Sequence, residues 1–297
     1  MEALERLTAS GRVVESVPLG PLTTYKFGGL ARFVVTIDGV EDLRDAWTIA
    51  SNERIPVVAL GRGSNVVVSD SGFPGVVLVA GSGLAYRTIG PTTVAGAAAP
   101  LPLLARDSAR AGRGGLEFYA GIPGSVGGAV AMNAGCHGSE TSEVLVSALV
   151  FDGLTGVAED FSPEQLEMSY RHTNLDHTSF VVEARFSTVE REPAECERTI
   201  REISRWRRDN QPGGTFNAGS VFKNPPGDSA GRIIDSLDLK GFSCGGVRVS
   251  ERHANFFVAE PGAIPADVYG LVMAVQERVS AATGLVLEPE IRFIGSF

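Results

Sequence analysis

A strand–helix–strand succession over residues 32–60 constrains the fold more than any other part of the chain. RFVVTID (32–38) reads as a strand. GVEDLRDAWTIASNERI follows and places Val40, Leu43, Trp47 and Ala50 on one helical stripe. PVVAL (56–60) then reads as a buried strand, so the segment reads as a βαβ unit. A second unit runs from TTVAGAAA into LPLLARDSARAG, with Leu101, Leu104, Ala105 and Ser108 on a short helix that Gly112 ends. Such units invite a Rossmann reading.

Downstream, the pattern changes. LVSALVFDGLTGVAEDF reads as a hairpin about Asp152-Gly153, and SFVVEARFSTVE (179–190) as a further strand. CERTIREISRWRRDN (196–210) is amphipathic, with Cys196, Ile200, Ile203 and Trp206 on one side and arginines opposite. NQPGG reads as a loop and domain edge. Ile264, Val268, Leu271, Val272, Val275 and Val279 repeat at helical spacing up to Gly284. LVLEPEIRFI (285–294) alternates like a strand, Leu287, Ile291 and Phe293 opposing Glu288, Glu290 and Arg292.

Composition excludes several classes. A net charge of -9 over 297 residues argues against a protein made for nucleic acid or anionic membrane. The N-terminal MEALERLTASG lacks the apolar core of a signal peptide. VAGAAAPLPLLA (94–105) is too short and too proline-broken to span a bilayer. Three scattered cysteines, Cys136, Cys196 and Cys244, suit a reducing compartment better than a disulfide framework. Four scattered histidines without metal-ligand spacing predict no metal site.

Two glycine loops stand out. GIPGSVGG, with Gly121, Gly124, Gly127 and Gly128, suggests a backbone that turns tightly and leaves its N–H groups free for phosphate. The small run AVAMNAG after it lets backbone lie against a planar ligand. GRGSN (61–65) ends a strand, where α/β sheets tend to hold ligands. Neither loop is a full G-x-G-x-x-G, and each alone reads as either a plain turn or a dinucleotide cradle; Arg62 reads as either a ligand contact or a solvated charge. NAGSVFKNP (217–225) centres on Ser220 but is neither a G-x-S-x-G elbow nor a P-loop. From the residues alone Ser220 is a turn serine, Arg171 an ion-pair arginine and Glu290 a strand-edge charge.

Six ordered blocks change that reading. LGRGSNVVVSDSGFPGVV, GLEFYAGIPGSVGGAVAMNAG, SYR (169–171), NAGSVFKNP, GGVRVSERHANFFV and LEPEIRFIG together resemble the bacterial UDP-N-acetylenolpyruvoylglucosamine reductases (MurB), in the shorter, type II form. The resemblance implies an α+β protein and replaces the Rossmann reading. It predicts a vanillyl-alcohol-oxidase-type (PCMH-like) FAD-binding domain in two α/β subdomains, residues 1–80 and 81–195. A C-terminal α+β substrate-binding domain, 196–297, would follow, with its last strand (285–297) returning to the active site. The cofactor implied is non-covalent FAD, the hydride donor NADPH, and the substrate UDP-N-acetylglucosamine enolpyruvate, reduced to UDP-N-acetylmuramate for peptidoglycan. The expected setting is a cytoplasmic monomer serving cell-wall biogenesis, cell shape and division, with no nucleic acid or membrane insertion.

The same resemblance assigns residues. Ser220 matches the proton donor, Arg171 the cation that stabilises a developing enolate, and Glu290 a carboxylate assisting at that centre. Gly61, Arg62, Gly63, Ser64 and Asn65 would hold FAD, together with Gly121, Ile122, Pro123, Gly124, Ser125, Gly127, Gly128, Asn133 and Ala134. Tyr170, Lys223, Asn224 and His253 would contact substrate. Arg207, Arg208 and Gln211 either meet the UDP diphosphate or are solvated. Cys136 and His137 fall near the expected flavin and open the question of a covalent link. After SYR the family has a serine and a phenylalanine where Thr173 and Leu175 stand; threonine keeps the hydroxyl, and leucine loses an aromatic wall. The rival readings are a flavin-dependent oxidase of the same fold acting on a small alcohol or sugar, and a non-catalytic module that binds a UDP-sugar or flavin.

Overall fold

The structure is a computed structural model that describes residues 7–297. The first part of the N-terminal MEALERLTASG segment, residues 1–6, lies outside the described residues. The chain divides into two compact units that interleave in sequence. One holds the chain up to Ser16, Arg32–Arg62 and Gly75–Trp206; the other holds Val17–Ala31, Gly63–Pro74 and Arg207–Phe297. These divisions cut across the continuous segments 1–80, 81–195 and 196–297 expected from the sequence.

In the first unit the early strand–helix–strand forms as Leu30–Ile37, Val40–Glu53 and Val57–Leu60. The helix buries Leu43, Ala46, Ile49 and Ala50, a face close to the sequence stripe. Its two strands are not neighbours. Phe73–Ala80 lies between them in the order Val13–Pro18, Leu30–Ile37, Phe73–Ala80, Val57–Leu60 and runs parallel to the last. A second sheet of five strands is antiparallel at its pairings and centres on Leu145–Asp152, Ser179–Ser187 and Thr92–Gly96. Helix Leu101–Arg110 shares a core with it, with Leu101, Leu104, Ala105, Ser108 and Ala109 buried. The hairpin at Asp152-Gly153 forms, and Gly153 is needed there because any Cβ would fall inside the Trp47 ring.

The second unit is organised by helix Pro265–Thr283, whose Val268, Leu271, Val272, Val275 and Val279 are buried as the spacing predicts, whereas Ile264, read as the first residue of that stripe, precedes the helix and is exposed. Gly284 closes it in the left-handed conformation, φ 74°. A three-stranded antiparallel sheet, Ser243–Cys244, Val247–Val249 and Phe257–Ala259, packs into the same core. The C-terminal run differs from expectation. Only Arg292–Ile294 is a strand, paired in parallel with Val66–Val68. Pro289, which has no N–H to give a ladder, interrupts the rest. Leu287 and Ile291 face the core as read from the sequence, but the alternation does not carry through: Phe293 is half-buried and Ile294, of opposite parity, is buried.

Candidate active site

In the first unit a tight turn presents an arginine. Ser169 and His172 exchange backbone hydrogen bonds of 3.1 and 3.0 Å, leaving Tyr170 and Arg171 at the tip. Arg171 has φ +54°, a left-handed conformation that costs an ordinary residue roughly 1–2 kcal/mol. Its guanidinium donates to the Gly135 carbonyl at 2.7 Å and to the Asn133 carbonyl at 3.4 Å. The exposed Tyr170 ring lies 5.0 Å from the guanidinium carbon. Asn133 is wholly buried and also left-handed, φ +40°. Its Nδ2 donates to the Ser169 carbonyl and its Oδ1 accepts the Ser142 amide, both at 2.9 Å. The side chain expected to touch cofactor is therefore engaged in holding the arginine turn. Thr173 donates its hydroxyl to the Ala131 carbonyl at 2.9 Å, and Leu175 packs against the core.

Of the loop GRGSN, Gly61 and Arg62 belong to this unit, and Gly61 comes close to the other glycine loop. A Cβ on Gly61, just past strand Val57–Leu60, would lie 3.2 Å from Ser125 Oγ. One on Gly127 would touch the Ala97 methyl at 3.1 Å, and one on Gly128 would meet only Ser125 Oγ at 3.9 Å. Arg62 and Pro123 are exposed, while Ile122 packs on the core and donates its amide to Tyr119. Ala134 directs its carbonyl to the Thr141 amide and hydroxyl. These residues fit an extended anionic cofactor: backbone bare of side chains at Gly61 and Gly128, with a cation beside it.

Two expectations for this loop need correction. Its amides are not all free, since Val126 and Gly127 donate to the Ala99 and Ala97 carbonyls at 3.0 Å each. Val126 is buried, and a buried amide must find a partner. None of Gly121, Gly124, Gly127 and Gly128 has positive φ. Where a reason is visible it is close packing: a Cβ on Gly121 would sit 2.5 Å from Cys136 Sγ and 3.2 Å from an Ile203 methyl. Cys136 donates to the Phe118 carbonyl at 3.1 Å, and the exposed His137 ring stands edge-on to Trp206 at 5.0 Å.

The second unit builds its site from extended segments. Asn217 Oδ1 accepts the Gly219 amide at 3.0 Å, Gly219 takes φ +76°, and Ser220 emerges from this turn. Ser220 pairs with Phe256, and Phe222 with Pro289, on opposite sides of the segment. The Glu290 amide donates to the Val221 carbonyl at 2.7 Å, and the Lys223 amide to the Glu288 carbonyl at 2.9 Å. Asn65 Nδ2 donates to the Glu290 carbonyl at 3.0 Å, so this residue anchors the glutamate backbone. Gly63 has φ +61° and its carbonyl accepts Thr24, while the partly buried Ser64 links the two.

Around this core, Lys223 Nζ pairs with the exposed Glu288 at 2.5 Å. Asn224 Oδ1 accepts the Ala230 amide at 3.0 Å and so covers the start of helix Ala230–Ser236. His253 accepts the Asn255 amide on Nδ1 at 3.2 Å; burial, helped by the charge of Lys240, lowers its pKa. Arg207 bonds Gln211, and the Arg208 and Gln211 carbonyls accept Arg252. One residue not singled out in the sequence, Asn255, bonds both backbone groups of Phe222. Its only sequence signal is a polar residue inside the apolar run HANFFV.

Two family models match: the C-terminal domain of UDP-N-acetylenolpyruvoylglucosamine reductase over residues 211–294, and an FAD binding domain over 31–160. A UDP-N-acetylenolpyruvoylglucosamine reductase from Rubrobacter xylanophilus is 40% identical over 295 residues, 98% of each chain. The chain belongs to this reductase family. The crystal structure of the reductase (MurB) from Thermus caldophilus superposes with a TM-score of 0.84 at 38% identity, covering 96% of this chain and 99% of that one. A variant of Phl p 4, a glucose oxidase, reaches only 0.50 at 13% identity, covering 65% of this chain and 45% of that one; this is a likeness of fold alone. The reductase is thus an α+β protein with a PCMH-like FAD-binding domain. Of the residues expected to act in it, Arg171 and Tyr170 belong to the first unit, and Ser220, Lys223, Asn224, His253 and Glu290 to the second.

Proposed function

We propose that Ser220, Arg171 and Glu290 carry the reduction of UDP-N-acetylglucosamine enolpyruvate in this chain. It is an FAD-dependent oxidoreductase of peptidoglycan precursor synthesis that uses NADPH. The balance is one enolpyruvyl ether, one NADPH and one proton giving one lactyl ether, UDP-N-acetylmuramate, and NADP. Bound FAD supplies the relay of two electrons and a hydrogen between NADPH and the substrate carbon.

The chain's residues supply the rest. As the terminal carbon is reduced, negative charge builds on its neighbour and the attached carboxylate. Arg171 offsets that charge with a planar fork of donors. Ser220 delivers the proton to the carbanionic carbon, a base strong enough to take it from a hydroxyl. Glu290 assists the same centre. Tyr170, Lys223, Asn224 and His253 bind substrate, with Lys223 exchanging its surface pair to Glu288 for an anionic group. Gly61–Asn65, the loop 121–128 and the backbone of Asn133 and Ala134 hold FAD without a covalent bond.

The observation that carries this reading is the hydrogen bond from the Glu290 amide to the Val221 carbonyl, which ties the glutamate to the residue after Ser220. The setting proposed is a cytoplasmic monomer acting in cell-wall biogenesis, shape and division. Among the described residues no helix is long and apolar enough to cross a membrane.

Anaerobic mixing tests the function. NADPH should bleach the yellow protein, and UDP-N-acetylglucosamine enolpyruvate should restore the colour with one UDP-N-acetylmuramate formed per flavin. Fast recolouring by air with peroxide release, and none by the enolpyruvyl substrate, would instead favour the oxidase.

A further inference from the structure

We infer that Asn255 is a positioning residue that sets the Ser220 segment against Glu290; the inference rests on the donor role proposed for Ser220. Asn255 is 3% exposed. Its Oδ1 accepts the Phe222 amide at 2.9 Å and its Nδ2 donates to the Phe222 carbonyl at 2.8 Å. Its own carbonyl accepts the Val221 amide at 2.8 Å. One residue therefore engages three of the four backbone groups of Val221 and Phe222, just after Ser220; the fourth, the Val221 carbonyl, takes the Glu290 amide.

The need for a side chain follows from the local backbone. Ser220 opposes Phe256, as in an antiparallel pair. Continuing that pair would require the chain before Asn255 to run on beside Phe222. Instead residues 253–256 close a turn, the Phe256 amide donating to the His253 carbonyl at 2.9 Å. The ladder loses its backbone partner at Phe222, and the Asn255 amide replaces it with one donor and one acceptor. Asparagine is the residue that offers both on so short a stem. Aspartate keeps the acceptor and loses the donor; leucine loses both.

On its other side the same segment holds Glu290, through Val221, and Glu288, through Lys223. Residues 220–223 are thus the middle of three segments. Releasing the Asn255 side shifts the donor relative to the carboxylate that works with it. A misplacement of about 1 Å at a reacting group is enough to slow chemistry on the order of 100-fold.

The test compares Asn255→Asp and Asn255→Leu with Ser220→Ala in the FAD-loaded protein. Flavin content, thermal midpoint, NADPH bleaching and reoxidation by UDP-N-acetylglucosamine enolpyruvate are measured, the last in H₂O and D₂O. The expected result is normal flavin content and bleaching in Asn255→Asp, with reoxidation slowed about 10- to 100-fold. Its solvent isotope effect should also rise, because proton delivery becomes the slow step. Wild-type reoxidation in Asn255→Asp beside a slow Ser220→Ala overturns the positioning role and leaves the donor role standing. Slowing of both halves together, with lost flavin and an unchanged isotope effect, also overturns it, as the mark of a structural residue only. Normal reoxidation in Ser220→Ala overturns the donor reading, and this inference with it. Asn255→Leu guards the test against residual bonding by aspartate: if it folds and reoxidises at the wild-type rate, the inference falls.

Discussion

Arg171 stands on left-handed backbone itself, whereas Ser220 follows a glycine that takes this conformation in its place. The two sites show different ways of making a side chain precise. The first unit holds its arginine in a strained turn: Asn133 and Arg171 both have positive φ, and two carbonyls, of Asn133 and Gly135, fix the guanidinium. The second unit places its serine without strain at the residue itself and holds the segment by hydrogen bonds on both flanks. Each unit uses one buried asparagine as the tie. Strain survives only where surrounding contacts over-determine it, so the arginine turn should be the less tolerant of lost contacts.

The largest expected effect separates the two sites by chemistry. Ser220→Ala should leave NADPH bleaching of the flavin near normal and slow reoxidation by enolpyruvyl substrate about 10²–10⁴-fold, the usual cost of a lost general acid. Stopped flow of each half measures this. Equal slowing of both halves would mean that the serine segment serves more than proton delivery.

Arg171→Lys comes next. Lysine keeps the charge but cannot meet two carbonyls and a substrate carboxylate with one planar group. Reoxidation should fall by about 10²-fold, the scale of one lost transition-state donor, with flavin content unchanged. Turnover near wild type would reduce Arg171 to a structural role and dissolve the contrast.

Asn133→Ala tests the strain directly. It removes two bonds from a buried site and leaves alanine at φ +40°. A loss of about 2–4 kcal/mol is expected, read as a lower denaturation midpoint. A change below about 0.5 kcal/mol would show that the turn needs no tie.

Gly128→Val probes the cradle without disturbing the fold, since a Cβ there meets only Ser125 Oγ at 3.9 Å. The variant should keep its thermal midpoint within a few degrees as apoprotein and retain less FAD after gel filtration. Full retention would remove Gly128 from the cofactor surface.

The smallest effect concerns His253. Its folded pKa lies below its usual 6.5, through burial first and Lys240 second. Between the usual and the lowered value the unfolded chain binds more protons, so stability falls as pH drops through that window. His253→Gln should flatten this slope in denaturation curves from pH 7 to pH 5. An unchanged slope would assign it to other groups.

Much of the fold was legible because its signals are local. The helical stripes at 40–53 and 265–283, the stop at Gly284 and the hairpin at Asp152-Gly153 follow from periodicity and turn chemistry, and all of them form. Sheet order was not legible: Phe73–Ala80 inserts between the strands of the early unit, and no local pattern states which strands become neighbours. The glycines of 121–128 were visible, but their reason was not; at Gly121 it lies in distant neighbours, Cys136 and Ile203, rather than in backbone dihedrals.

The sequence by itself determined the family, and with it the cofactor and the reaction, because six blocks stand in the order and spacing of that family. Only the tertiary structure decided what holds those residues. Asn65 anchors Glu290 across 225 positions, and Asn255 completes a ladder across 33. The physical reason is that a buried peptide group must be paired, and which side chain pairs it is set by where the folded chain passes, not by its neighbours in sequence.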